Sequence, residues 1–353
     1  MSSESTQSPP AVSVIVLNWN GAPFLARCLD ALEGQTFRDY EVLVLDNAST
    51  DGSAQNLENR WPSFCVERFE QNLGFSIANN RGAQLARGRW IAFLNNDAFP
   101  EPDWLEQLMR AARDNPEFTF FSSRLVYAQA PETIQDTGDV YHVSGFAWPR
   151  DNNRPVEQAH LVSGEVFSPC AAAALYERQA FLSASGFDER FHSHLEDVDL
   201  GFRLRLRGHC CLYVPGAVVK HIGSASFGLE SDRSVFQVQR NVVWAYVANM
   251  PGWLFWKYLP AHLFTNLAFL VYYSLRGQMK PVWKAKWQAL RAMSELMKKR
   301  RLIQAQRKVD PSELERVLDR SWFGPFVQGR RARAYRALIN REKRDGPTAG
   351  TKS

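Results

Sequence analysis

Cysteine is scarce in this sequence of 353 residues: there are five, an odd number, and Cys210 and Cys211 are adjacent. No pair has the spacing of a zinc site, so neither a disulfide-built scaffold nor a structural zinc domain is expected. Reduced thiols in a cytoplasm fit the pattern better. No clean apolar run reaches the ~20 residues that a membrane span needs. Residues 1–11 are polar and rich in Ser, which predicts a disordered end and gives no secretion signal. The short polar end at residues 346–353 is expected to be disordered as well. A recognisable nucleic-acid module is also missing, so nucleic acid is not an expected partner.

What remains is an ordinary globular composition, 45% hydrophobic and 22% charged, on a chain long enough for one large α/β domain and a smaller one. Residues 89–97 hold the most telling stretch. Trp90 to Leu94 form an unbroken apolar run, as in a strand buried on both faces of a parallel sheet. The run stops at Asn95-Asn96-Asp97. Ligands of open α/β sheets bind beyond the carboxyl ends of the strands. A carboxylate there can hold a divalent cation against a phosphate, although Asn and Asp also suit a plain turn.

Three earlier units share the pattern. Val12 to Leu17 is a strand ending at Asn18-Trp19-Asn20-Gly21, and Pro23 opens a helix to about Glu33. Glu41 to Leu45 is a second strand, ending at Asp46, and a polar turn from Asn47 to Ser53 caps the next helix. Phe64 to Phe69 is a third strand. The turn Asn72-Leu73-Gly74 follows, then a helix from Phe75 to Ala86 that carries Asn79. This alternation predicts a doubly wound parallel sheet. Beyond Pro100 the periodicity weakens: residues 101–113 look helical and 118–126 extended. Residues 128–160 read as a long substrate loop, Ala171 to Tyr176 as a strand, and Leu212 to Pro215 as a short strand ahead of His221.

A second dense stretch runs from Gly186 to Arg203. Ser193 and Glu196 have capping-box spacing, which predicts a helix from about His194 and gives Glu196 a structural role. Asp197 and Asp199 fall in the first turns, where the helix dipole favours their ionised forms. Three acids in four residues exceed what a cap needs.

Taken in order, these motifs resemble family-2 glycosyltransferases of the GT-A fold. They are Asn18-Trp19-Asn20-Gly21, Asp46 to Ser53, Asn72-Leu73-Gly74-Phe75, Asn95-Asn96-Asp97, Gly186-Phe187-Asp188-Glu189, Glu196 to Leu200, and His221. The pattern covers about residues 12–228 and is most similar to bacterial rhamnosyltransferase-like enzymes of cell-wall and polysaccharide assembly. The resemblance implies an α/β, Rossmann-like and mostly parallel sheet with helices on both faces over residues 12–230, followed by a helical region. It implies a nucleotide diphosphate sugar as donor, UDP- or dTDP-linked, with rhamnose the first guess. The acceptor would be a saccharide hydroxyl, probably on a lipid-linked chain. Asp46 would accept the base imide proton, and Asn18, Asn20, Gly21, Asn72, Gly74, Asn79, Asn95 and Asn96 would line the donor pocket. Asp97 and His221 would hold Mn²⁺ or Mg²⁺. Asn95 stands where the family's metal motif often has its first Asp, so one carboxylate would rely on the diphosphate for further ligands. Asp197 would be the base of an inverting transfer, with Glu196 beside it. The alternatives are a catalytically silent scaffold that binds nucleotide-sugar or glycan, or transfer to a soluble acceptor or to polyprenyl phosphate.

The last third changes character. Asn241 to Trp256 and Tyr258 to Leu275 carry no charge and are rich in Trp and Tyr. From Arg276 to Asp345 there are 20 Lys/Arg and 7 Asp/Glu, a balance of +13, which leaves −8 on the rest of a chain whose total is +5. Residues 231–345 are expected to be helical, with helices at Lys280–Arg301, Glu313–Asp319 and Arg330–Arg341. Aromatic runs broken by Pro251, Pro260, His262, Asn249 and Asn266 and followed by a basic tail favour interfacial helices on an anionic membrane surface over transmembrane helices in 241–275. The protein would then sit in the cytoplasm, peripheral on the inner face of the cell membrane. The competing expectation is a helical region that packs on the body with its basic residues solvated.

Overall fold

The computed structural model describes residues 8–223, 231–322 and 324. The expected helix at 330–341 and both chain ends lie outside these residues.

Four parallel strands build one half of a ten-stranded sheet: β1 (Val12–Asn18), β2 (Tyr40–Asp46), β3 (Cys65–Arg68) and β4 (Trp90–Asn95). Their spatial order is β4-β1-β2-β3, with Asn18 opposite Asp46 and Leu17 opposite Asn95. This register brings the polar ends of β1, β2 and β4 to one edge. β1 is buried along nearly its whole length because both sheet faces are covered. On one face lie α1 (Leu25–Glu33), the short α2 (Leu57–Arg60) and α4 (Trp104–Asp114), packing Leu29, Leu32, Trp104 and Leu108 against Val14 and Val44. On the other lie α3 (Gly74–Leu85), α5 (Arg178–Ser183) and α6 (Glu196–Leu206), which cover Ile15, Leu45 and Phe93 with Ala83, Phe181 and Leu200. Each such Leu, Ile or Phe contributes roughly 1.5–3 kcal/mol when fully buried.

The second half of the sheet departs from the parallel pattern. β5 (Ala98–Pro100), β6 (Phe118–Tyr127), β7 (Ala130–Asp136), β10 (Gly164–Val166), β11 (Ala173–Glu177) and β12 (Cys210–His221) complete it, while β8 (Asp139–Tyr141) and β9 (Ala147–Pro149) form a separate hairpin. β11 enters antiparallel between β4 and β6, so the sheet is mixed though mostly parallel in its first half. Residues 128–160 are therefore not a long loop: β7, β8 and β9 lie within them. The expected short strand 212–215 is the middle of a longer one. β12 passes Pro215 by a break in its register with β6 between Val214 and Val218, then resumes to His221.

Beyond residue 230 come α7 (Asp232–Asn249), α8 (Gly252–Leu275), α9 (Met279–Arg291), α10 (Met293–Ala305) and α11 (Pro311–Val317). The expected helix 280–301 is two helices that meet at Ala292. A third core joins them to the body: Trp244, Tyr246 and Val247 of α7 pack with Phe191, Val198 and Phe202. Trp244 is thus buried, and α7 belongs to the body, contrary to the expected interfacial run from 241. No described helix is long and apolar enough to cross a membrane.

Candidate active site

The first group of polar residues gathers where β1, β2 and β4 end. The Asn18 amide donates to Asp46 Oδ1 (3.2 Å), Ser49 Oγ (3.1 Å) and Ser53 Oγ (2.9 Å). Its own oxygen accepts from the Asn96 amide at 2.9 Å. Asn18 is fully buried, so each of these bonds is formed away from competing water. Asn20, at a positive φ of 51°, turns its oxygen to the Thr50 N–H at 2.8 Å. Asn72 accepts from the Asn47 amide (3.0 Å) and from Gly74 N–H (2.8 Å), which fixes the start of α3. A Cβ on Gly21 would fall far inside contact distance of both Asn18 Oδ1 and Asn96 Nδ2, so only glycine lets these two side chains meet.

Asn79 is not in this group. Its amide donates to Phe75 O within α3 at 3.0 Å, and its side chain is buried in the helix packing. Its neighbour Asn80 makes the tertiary contact, exchanging two bonds with the backbone of Phe187 (2.8 and 2.9 Å).

The second group sits just past the same end of β4. β5 pairs with β12 so that Ala98 lies opposite His221, which brings His221 Nε2 to 3.1 Å from Asp97 Oδ1. The other ring nitrogen, Nδ1, is 2.6 Å from Gln135 Oε1. With the Nδ1 proton donated to that amide oxygen, Nε2 presents a lone pair to a carboxylate oxygen. Two acceptors facing at this distance need a proton or a cation between them, so the donor set fits a divalent ion. Among the described residues no three His, Cys, Asp or Glu side chains gather to cage a metal, so a cation here would complete its shell from the ligand. When a proton rather than a metal lies between them, the His221 hydrogen bond and charge outweigh burial and hold the Asp97 carboxyl below its usual range.

The third group is the start of α6. The expected Ser193 cap is not formed: Ser193 Oγ donates to Gln237 on α7 (2.8 Å), and α6 starts from Leu195 in the left-handed region at φ 64°. Asp197 Oδ2 accepts from Ala171 N–H (3.1 Å) and its Oδ1 from Val198 N–H (2.9 Å). Ala171 is next to Ala172, whose carbonyl accepts from Asn95 N–H at 3.0 Å. A short run of backbone bonds therefore ties Asp197 to the Asn95-Asn96-Asp97 corner. Glu196 Oε2 is buried with no hydrogen-bond partner. Burial first, and the Asp197 charge second, push the Glu196 carboxyl up to about 8. Burial also raises Asp197, against the two N–H groups that favour its ionised form. Two adjacent buried acids do not both ionise freely. Asp197 has donors and Glu196 Oε2 has none, so the proton stays on Glu196 and the charge on Asp197. Asp199 is committed elsewhere: it is buried in bonds to Arg203 (2.8 Å) and Asn249 (2.7 Å).

Two acids near this group escaped the sequence. Asp136 accepts from Gly138 N–H, yet burial, with the Asp197 charge adding, pushes it up to about 7. Asp139 accepts from Ser168 Oγ at 2.9 Å and is raised well above the carboxylate range by burial and then by Asp136 and Asp197. Gln135, Asp136 and Asp139 all lie in the stretch taken for a loop. Ile134 is the lone apolar residue between Glu132 and Asp136, too little alternation to announce a strand.

A mostly parallel sheet with an Asn-Asn-Asp corner beyond its central strand, a carboxylate at the end of the second strand and a helix that opens on paired acids is the arrangement of a GT-A glycosyltransferase. The sequence profile described as Glycosyl transferase family 2 matches residues 13–182. An N-acetylglucosaminyl-diphospho-decaprenol L-rhamnosyltransferase of Mycobacterium tuberculosis is 31% identical over 245 residues, 61% of this chain and 77% of that protein. The O-antigen biosynthesis protein RfbC of Myxococcus xanthus is 31% identical over 209 residues, 56% of this chain but 16% of that protein. A crystal structure of GalNAc-T7 with UDP, GalNAc and Mn²⁺ superposes with a TM-score of 0.54 at 17% identity, over 69% of this chain and 51% of that one, a likeness of fold. The chain belongs to glycosyl transferase family 2, and it is a glycosyltransferase.

Proposed function

We propose that this enzyme is an inverting transferase of bacterial polysaccharide synthesis. It moves a sugar from a nucleotide diphosphate donor, UDP- or dTDP-linked, to a hydroxyl of a saccharide acceptor on a lipid carrier. The observation that carries this is the convergence of three groups at one sheet edge: the Asn18–Asp46–Asn96 cradle, the Asp97–His221 pair, and an ionised Asp197 beside a neutral Glu196. Rhamnose as the sugar is supported by the name of the mycobacterial relative, which covers most of that protein's length.

In this mechanism Asp46 accepts the imide proton of a uracil or thymine base, while Asn18 keeps its carboxylate in place. Asn96 holds the β4 corner against Asn18, and Gln135 fixes the ring of His221. Asp97 and His221 would hold a divalent cation, which when bound neutralises charge on the departing nucleoside diphosphate. Asp197 removes the proton of the attacking hydroxyl, and burial raises its basicity above that of a free carboxylate. Glu196, neutral beside it, leaves Asp197 as the one charged acceptor of that proton.

The lipid-linked acceptor is supported by an apolar face on α8 and α9. Trp256 (71% exposed), Phe264 (67%) and Leu275 (83%) line α8, and Trp283 and Trp287 line α9. Arg276, Lys280, Lys284 and Arg291 accompany them, as suits an anionic membrane surface. The site would then work at the inner face of the cell membrane.

The test starts with a thermal-shift panel of UDP-, dTDP- and GDP-sugars with Mn²⁺, since a bound donor raises the melting temperature by mass action. With the donor found, release of nucleoside diphosphate measures transfer. Asp197→Asn should lower it by roughly 10²–10⁴-fold and leave donor binding nearly unchanged. Transfer within about tenfold of wild type would remove Asp197 from the role of base.

A further inference from the structure

We propose that α7, which lies outside the family-matched segment, is a working part of the active site through Asn241. This residue positions the segment that carries Glu196 and Asp197. The proposal rests on Asp197 as the base.

The segment before α6 is strained. His192, His194 and Leu195 have φ values of 63°, 65° and 64°, the left-handed region that residues other than Gly adopt uncommonly and a bulky one such as Leu least of all. Three such residues within four persist only when their surroundings over-determine them. The restraint comes from α7. The fully buried Asn241 amide donates to the carbonyls of Phe191 (3.2 Å), Ser193 (3.1 Å) and His194 (2.7 Å). An amide has two N–H groups, so one is shared between two of these acceptors. Arg240 donates to Asn241 Oδ1 (2.9 Å), which sets the amide orientation, and also reaches Arg190 O (3.2 Å) and Phe191 O (3.1 Å). Farther along α7, Asn249 donates to Asp199 Oδ1 at 2.7 Å, and Lys299 of α10 pairs with Asp188. The strained turn is thus gripped on the α7 side along its length. Its other anchor is the bond between Asp197 and Ala171. Release of the turn lets Asp197 drift from the β4 corner without altering the donor cradle, which is built by β1, β2 and β4.

The experiment uses the full chain with Asn241→Asp, which keeps the size of the side chain and the acceptor for Arg240 but removes both donors. With the donor identified above, kcat should fall ~10–100-fold, since a misplacement of about 1 Å costs up to ~10²-fold. UDP affinity by calorimetry should stay within about twofold, the margin allowed where the donor cradle is untouched. Amide exchange should accelerate in peptides covering residues 188–199 and remain unchanged in those covering 12–46. If kcat holds within about twofold, or if kcat and UDP affinity fall together with faster exchange throughout, Asn241 is not a positioning residue. Should Asn241→Asp give no folded protein, Asn241→Ser removes the reach without burying a charge and is judged by the same criteria. Failure of both to fold assigns Asn241 to folding and overturns the proposal. Asp197→Asn run in parallel separates the two ideas. If it remains active, the base assignment fails; if it is inactive while Asn241→Asp is fully active, only the positioning role fails.

Discussion

Replacing Gly21 with Ala adds a single methyl group at the point where the Asn18 and Asn96 side chains meet. The new Cβ would meet Asn96 Nδ2 and Asn18 Oδ1 far inside contact distance, and Asn96 Cγ at 3.2 Å. Ordinary contact needs about 3.5 Å or more, so the Asn96 amide must retreat by about 1 Å. Asn18 cannot yield, because it is fully buried and bonded to Asp46, Ser49 and Ser53, so the half-buried Asn96 is the side chain that moves. The 2.9 Å bond between Asn96 and Asn18 breaks, and overpacking of this kind costs about 1–3 kcal/mol. Asn96 adjoins Asp97, so the displacement reaches the Asp97–His221 pair. A shift of about 1 Å there should lower kcat/KM by roughly 10²-fold. Melting temperature, donor affinity and nucleoside diphosphate release give three independent readouts. A second change sharpens the test: Asn96→Ala removes the atom that is struck, so Gly21→Ala/Asn96→Ala should be more stable than the sum of the single changes. If Gly21→Ala melts and turns over like wild type, or if the double variant shows no coupling, Asn18 and Asn96 do not meet over Gly21 and the cradle is wrongly drawn.

Chelator, Asp97→Ala and His221→Ala should each depress turnover, with His221→Ala showing a weaker dependence on added Mn²⁺; full activity in excess chelator would remove the cation from the reaction. Glu196 is raised from 4.5 to about 8 by burial and by Asp197, and a raised carboxyl gives stability that is full below its unfolded value and lost as pH climbs through the folded one. The wild-type melting temperature should therefore drop between those two pH values, and Glu196→Gln, neutral throughout, should flatten the drop; parallel curves for the two proteins would mean Glu196 is ionised at neutral pH. The full chain should cosediment with anionic vesicles in a manner that salt weakens without abolishing, and Trp256→Ser/Trp283→Ser should remove the salt-resistant part. A chain that stays in the supernatant at low salt would make α8 and α9 a solvent-exposed packing layer.

The first half of the fold was legible because its strands are buried on both faces and its turns are polar, so hydrophobic runs and their ends mark the elements directly. Asn18, Asp46, Asn96 and Asp97 stand out in the sequence for the same reason: each is the last residue of such a run or lies just past it. The second half was less legible. β7 carries a single buried apolar residue, Ile134, between polar neighbours, and its partners lie on β6 at a shifting register. Nothing local marks it as a strand, and with it went Gln135, Asp136 and Asp139. Ser193 failed as a cap because tertiary structure supplied another partner, Gln237, some forty residues later in the chain. Asn79 and Asn80 show the same limit at one-residue scale, since helical phase alone decides which of two equal side chains faces its own turn and which faces Phe187.

The uncharged stretch from Asn241 onward shows why composition alone misplaces a surface. Freedom from charge is shared by a helix that lies on lipid and by one buried between protein layers. The distinction lies in the polar residues. Those of α7 are spent inward: Asn241 on the turn before α6, Asn249 on Asp199, and Arg240 on Arg190 and Phe191. A helix whose amides are committed to buried carbonyls has no face left for a membrane. Only three residues of α8, Leu254, His262 and Thr265, are buried, and its Trp253, Trp256 and Phe264 side chains are exposed. His262 explains how such a helix is held at all. Its ring stacks on Tyr246 at 4.0 Å and shares a 2.7 Å hydrogen bond with Ser144 O, and burial lowers it to about 4, so it is neutral at physiological pH. α7 therefore binds the turn before α6 on one side and α8 on the other, which makes it the mechanical link between the exposed apolar face of α8 and the Glu196–Asp197 pair.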